Sequence, residues 1–205
     1  MVQKQHLFML VAMFFLIVCK GQDKIGAIIT EKQGDLDKDG IPEKVVVYNT
    51  DTLTELGLIR LLCIYKKDAN NNWKVWKKSN TAILKSKEGG TMGDPFQEIE
   101  IKNGILAIKH YGGSSWHWSY THKYRYQNND FYLIGVSTTN SFREDNTVFD
   151  YNLSTSKAIY TSYINGVLSN KEVFKHKMKA VPKLNNMHFG KHQISTPKLK
   201  KSIYF

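Results

Sequence analysis

Gln97-Glu98-Ile99-Glu100-Ile101-Lys102-Asn103-Gly104-Ile105-Leu106-Ala107-Ile108-Lys109-His110-Tyr111 sets an alternating run and an apolar run on either side of Asn-Gly. A two-residue type I′ turn needs positive φ at both central positions, which Asn-Gly adopts at least cost, so the stretch reads as a β-hairpin. Asn165-Gly166 repeats the signal between residues 158–164 and 167–175. Outward from these hairpins, further apolar or alternating runs fall at 26–30, 44–49, 58–65, 73–77, 81–86, 116–126, 131–137 and 148–153. Turn residues separate them: Asn70-Asn71-Asn72, Gly89-Gly90, Gly112-Gly113 and residues 127–130. No segment keeps helical apolar spacing over about a dozen residues. The expected fold is mainly β, an antiparallel meander folded as a sandwich or open barrel. At most one or two short helices are expected, one of them near residues 51–57.

The amino terminus carries an address. Lys4 precedes an unbroken apolar run at residues 7–18, and Cys19-Lys20-Gly21 supplies small residues for cleavage, the pattern of a secretory signal peptide over residues 1–21. The run is shorter than the roughly 20 apolar residues that span a bilayer. Leu16-Ile17-Val18-Cys19 also permits a lipobox reading, with membrane attachment only if Cys19 is lipidated. The expected product is periplasmic or secreted. Removing residues 1–21 leaves Cys63 alone, so no intramolecular disulfide can form. Lying in the apolar run Leu61-Leu62-Cys63-Ile64, Cys63 reads as an inert buried thiol. Residues 22–183 are expected to form one β domain, about 180 residues with the tail being ample for a core without staples. Residues 184–205 change composition towards Lys, His, Asn and Pro and read as a basic tail, frayed or laid over the domain. Its His188 and His192 read as solvent-exposed, because Gly190 and Pro197 weaken any helix that would pair them.

One loop has nameable chemistry. Asp35-Leu36-Asp37-Lys38-Asp39-Gly40-Ile41-Pro42-Glu43 places three carboxylates on alternate residues, a glycine at the bend and a fourth carboxylate beyond it. Calcium takes six to eight oxygens at about 2.3 to 2.6 Å, which Asp35, Asp37, Asp39, the Ile41 carbonyl, Glu43 and water would supply. Position twelve, where a helix-loop-helix hand needs a bidentate Glu, is Val46, and residues 44–49 read as a strand, so this loop feeds a β-strand. Without a cation the four acids would repel each other. With mostly monodentate ligands, affinity is expected on the order of 10⁻⁴ to 10⁻³ M.

A second feature is the run Trp116-His117-Trp118-Ser119-Tyr120-Thr121-His122-Lys123-Tyr124-Arg125-Tyr126. Alternation in a strand puts Trp116, Trp118, Tyr120, His122, Tyr124 and Tyr126 on one face. That face reads as core, or as a stacking platform for sugar rings or a peptide at the end beside Gly112-Gly113-Ser114-Ser115, with His110, Tyr111, Trp116 and Trp118 as its candidate residues.

The stretch GDLDKDGIPEKVVV resembles the Asp-rich calcium loops of FG-GAP and VCBS-type repeats, which precede a β-strand. Together with residues 89–135 and the FDYNLST stretch, it resembles a group of small exported bacterial proteins over residues 34–155. The resemblance implies an exported single domain and calcium as cofactor. It implies no activity.

No nucleophile motif, phosphate loop or zinc signature occurs, and Glu98 and Glu100 alternate with Ile99 and Ile101 as the wet face of a strand. The formal charge of +11 favours anionic partners. Export argues against nucleic acid and for an envelope polysaccharide or another exported protein. The function expected is therefore a non-catalytic, calcium-stabilised binding domain of the bacterial envelope. An inhibitor or immunity-type protein against a lytic enzyme and a polysaccharide-active hydrolase are the alternatives.

Overall fold

A computed structural model describes residues 25–205. The signal-peptide reading of residues 1–21 and the lipobox at Cys19 lie outside the described residues.

Four strands, β1 (Ile25–Gly34), β2 (Glu43–Thr54), β3 (Gly57–Lys67) and β4 (Trp73–Ser79), form one antiparallel sheet in chain order. Seven more form the second, again as a meander: β5 (Phe96–Lys102), β6 (Ile105–Gly113), β7 (Trp116–Gln127), β8 (Asp130–Phe142), β9 (Asp145–Asn152), β10 (Lys157–Ile164) and β11 (Val167–Lys175). A 3₁₀ turn at Leu184–Asn186 and a small hairpin, β12 (Gln193–Ser195) with β13 (Ser202–Tyr204), complete the chain. No α-helix occurs among the described residues, and the arrangement is a sandwich without barrel closure.

The Asn-Gly turns form as their chemistry requires. Asn103 and Gly104 take φ of 53° and 75°, and Asn165 and Gly166 take 49° and 73°. From the small sheet Val45, Val47, Leu62 and Ile64 point inward. They meet Ile99, Leu106, Ile108, Tyr124 and Leu133 of the large sheet, every one of these nine at most 1 % exposed. Period-two alternation carries this pattern until β8, where Lys123 pairs with Gly135 but Tyr124 pairs with Leu133. Ile134 is the extra residue of a bulge. It lets Phe131, Leu133, Val136 and Thr138 all face inward despite the odd spacing between Leu133 and Val136.

Two local expectations fail, each for a visible reason. Residues 51–57 are the end of β2, a two-residue turn and the start of β3, not a helix. Leu53 and Leu56 remain exposed, so a helix there would have no apolar stripe to bury, whereas Thr54 donates its hydroxyl to the Gly57 carbonyl at 2.8 Å and closes the turn. Residues 81–86 do not form a strand. Ser79 Oγ accepts the N–H groups of Thr81 and Ala82 and donates to the Leu184 carbonyl at 2.7 Å, which turns the chain inward so that Ala82 and Ile83 plug the core.

The C-terminal segment is laid over the domain. Leu184, Met187, Ile194, Ile203 and Phe205 join the core, while Lys198, Lys200 and Lys201 stay exposed. Buried Glu172 on β11 accepts the N–H groups of Lys198 and Leu199 at 2.8 and 3.0 Å, tying the β12–β13 loop to the sheet edge. The last side chain, Phe205, is fully buried, and its N–H donates to the His192 carbonyl at 3.0 Å. Phe205→Ala is therefore expected to cost about 3 to 5 kcal/mol, the range for a buried phenylalanine, in urea unfolding. A loss below about 1 kcal/mol would show that the segment is not part of the core.

Candidate metal centre

The β1–β2 loop folds around its own carboxylates. Asp35 accepts the N–H of Lys38 on Oδ1 at 2.6 Å and that of Gly40 on Oδ2 at 3.0 Å. Asp37 Oδ1 accepts the Asp39 N–H at 3.3 Å, and Asp39 Oδ1 accepts the Ile41 N–H at 2.8 Å. Lys38 and Gly40 take positive φ of 67° and 87° to make this winding possible, and only the glycine does so without strain. Leu36 points the other way, into the core, as the loop's anchor.

This winding gathers Asp35, Asp37 and Asp39 so that one oxygen from each lies within 4.8 Å of the others. Oxygens on opposite sides of one calcium ion sit at most about 5 Å apart, twice the metal–oxygen distance, so the triad can share an ion. Glu43 lies beneath, fully buried, with Oε2 accepting the Leu36 N–H at 2.7 Å and Oε1 without a hydrogen bond. Burial pushes the Glu43 carboxyl above its ordinary pKa, against the pull of that N–H. Ile41 contributes an N–H to the winding and leaves its side chain half exposed.

The acids are not left to repel one another. Lys66, from β3, places Nζ between them. It is bonded to Asp37 Oδ2, lies 2.7 Å from Asp39 Oδ2 and 3.7 Å from Glu43 Oε1, and sits 5.2 Å from the centre of the Trp76 ring. Burial pulls the Lys66 ammonium down, but its hydrogen bonds to Asp37 and Asp39 outweigh that and hold its pKa above the ordinary value. The Lys66 hydrogen bond in turn holds the Asp39 carboxyl low, with the Ile41 N–H assisting. An internal cation thus occupies the centre that the acids would otherwise open to a metal. The residue was missed because it lies 23 positions beyond Glu43. Its signal is the β2–β3 register, in which Lys44 faces Tyr65 and so sets Lys66 beside Glu43.

The four candidate platform residues do not share one surface. His110 is buried at 1 % exposure, its Nε2 accepting the Leu84 N–H at 3.2 Å and its ring packed on Phe189. Tyr111 points to the opposite side of the sheet, stacked on His117. Trp116 and Trp118 stay together. Trp116 is 59 % exposed and stacks on Phe142 at 4.8 Å, and Trp118 packs on Tyr120 at 5.1 Å. Exposure falls from Trp116 to the fully buried Tyr124, so the aromatic row is core at one end and surface at the other. Gly113 N–H donates to the Gly89 carbonyl at 2.8 Å, pinning the glycine loop beside it.

Two buried histidines face each other's strands without full hydrogen bonding. His122 has neither ring nitrogen bonded, and His110 Nδ1 is likewise unpartnered. His192, expected in solvent, is half buried with its ring stacked on Phe205, while His188 is exposed. Comparison with protein-family models, curated proteins and solved structures returned no match. No helix among the described residues is long and apolar enough to cross a membrane.

Burial pushes His110 and His122 down to about 3, and each has a further histidine nearby that lowers it more, His122 for the first and His192 for the second. Their unfolded value is about 6.5, so unfolding takes up protons between about pH 6.5 and 3. Stability is therefore expected to fall as pH drops through that window, by up to about 1.4 kcal/mol per pH unit for each ring. His122→Phe should flatten the slope of urea stability against pH. Identical slopes for variant and parent would contradict the assignment.

Proposed function

We propose that this chain is an exported, non-catalytic β-sandwich binding domain that holds one calcium ion in its β1–β2 loop and engages an envelope polysaccharide or another exported protein. The observation that carries the calcium reading is the convergence of Asp35, Asp37 and Asp39 above the buried, half-satisfied Glu43. Lys66 supplies these acids with the positive charge that a bound ion would have to compete with. A divalent ion brings twice its charge and closer oxygen contacts, so calcium would displace the ammonium towards solvent and let Glu43 Oε1 complete the shell. Oxygen-only ligands select a hard cation, which favours calcium over zinc or copper. The weak affinity expected of such a loop suits the calcium-rich exterior that the amino-terminal sequence addresses.

The disposition of the other acids favours binding over catalysis. Lys109 pairs with Glu98 at 2.8 Å and Glu100 at 3.3 Å on an exposed strand face, and both oxygens of Glu172 are taken by backbone N–H groups.

At calcium about 100 times its dissociation constant, stabilisation should reach about 2.7 kcal/mol. For a domain of this size that raises Tm by roughly 5 to 10 °C. Asp37→Asn should abolish the increment, and equal melting of the parent in calcium and in chelator would refute the site. Lys66→Met separates the two cations: it should melt lower than the parent in chelator and gain a larger increment from calcium.

A further inference from the structure

The large sheet is wider than what covers it. The small sheet and the C-terminal segment close over most of its inner face, and at the Trp116 end of β7 that face stays open. Strand register defines what lies there. Trp118 pairs with Asn140, Asn140 with Thr147, Thr147 with Ser162 and Ser162 with Asn170, so one tryptophan and four hydrogen-bonding side chains line up across five strands. At about 4.8 Å between neighbouring strands the row is roughly 19 Å long. Beside it run Trp116 and Phe142, stacked on each other and paired across the same two strands.

The row has a wall. Lys201, Ser202 and Tyr204 of the C-terminal hairpin stand over Tyr120, Asn140 and Thr147 and enclose a cavity of about 290 Å³. Lys198 and Lys200 are exposed on the same hairpin loop, and Arg143 at the β8–β9 turn lies 5.2 Å from the Phe142 ring. Of the acids nearby, Asp145 Oδ1 accepts the Asn165 N–H at 2.9 Å, Glu172 is held by the hairpin loop, and Glu144 is exposed beside Arg143 at the β8–β9 turn. The groove is thus aromatic at one end, amide and hydroxyl along its floor, and positively charged along its hairpin wall.

We propose that this groove binds a linear anionic polysaccharide, which rests on the binding-domain reading above and gives it a place and a ligand class. A pyranose ring has an apolar C–H face and a rim of hydroxyls that both donate and accept. Trp116, Trp118 and Tyr204 offer flat apolar surface for the first, and large exposed aromatics of this kind mark binding surfaces. Asn140, Thr147 and Asn170 offer donors and acceptors for the second, with Ser162 buried beneath and held by the Asn170 amide at 3.2 Å. Lys201, with Lys198 and Lys200 on the same hairpin, flanks the path of the chain, and the excess of 29 basic over 18 acidic residues attracts a polyanion from a distance. An extended peptide would instead seek the free backbone of a sheet edge, and this row lies on a sheet face.

Affinity electrophoresis of the mature chain through gels containing polygalacturonate or neutral dextran tests the proposal. Retardation is expected in polygalacturonate alone. Trp116→Ala and Lys201→Ala should each weaken it at least about five-fold, with the far-UV spectrum unchanged. Tyr111→Ala and Lys157→Ala, on the opposite face of the sheet, should leave it intact, and the lysine pair controls for bulk charge. Equal loss in Lys157→Ala, or no loss in Trp116→Ala, would overturn the groove while leaving the domain a binder. No retardation in polygalacturonate, with an exported protein captured from envelope extract, would overturn the ligand class and keep the binding reading. No retardation and no captured partner of any kind would remove both.

Discussion

The long pairing of β7 with β8 is the constraint on which the rest of the molecule depends. Twelve register pairs join Trp116–Gln127 to Asp130–Phe142, and the bulge at Ile134 lets both strands present their apolar alternation to the same side. A one-residue slip would carry Trp116, Trp118, Tyr120, His122, Tyr124 and Tyr126 to the outer face. With the register fixed, Tyr124, Phe131 and Leu133 fill the sandwich interior, His122 lies under the C-terminal segment, and Trp116 emerges at the open end. Core and groove are two ends of one row.

Charge is handled locally. The acids of the β1–β2 loop gather because their own backbone N–H groups wind them inward, and Lys66 sets an ammonium against them from β3, one turn further along the meander. An ammonium over Trp76 and among carboxylates is well held, yet it leaves Glu43 Oε1 buried without a hydrogen bond. An unsatisfied buried carboxylate oxygen is costly, and at 3.7 Å the Lys66 ammonium does not satisfy it.

The carboxyl terminus shows how a polar composition can hide a structural role. Four lysines and no acid lie in residues 184–205, but the intervening Leu184, Met187, Ile194, Ile203 and Phe205 are spaced so that each turns inward as the segment crosses the sheet. Glu172 clasps its loop, and the same hairpin that seals the core raises the lysine-rich wall of the groove.

The sequence alone determined the strand order. Alternating runs and Asn-Gly turns are local, so the meander was legible in eleven of its main strands, and the Asp-rich loop was legible because its spacing and its glycine act within nine residues. What it left undecided depends on contacts between distant residues. Whether 51–57 coils or extends turned on the lack of anything for Leu53 and Leu56 to pack against. The cation among the acids came from β3, and the split of the aromatic row into core and surface came from how far the small sheet and the C-terminal hairpin reach across the large one. Periodicity tells a side chain which face it shares. Only the packed structure says what, if anything, covers that face.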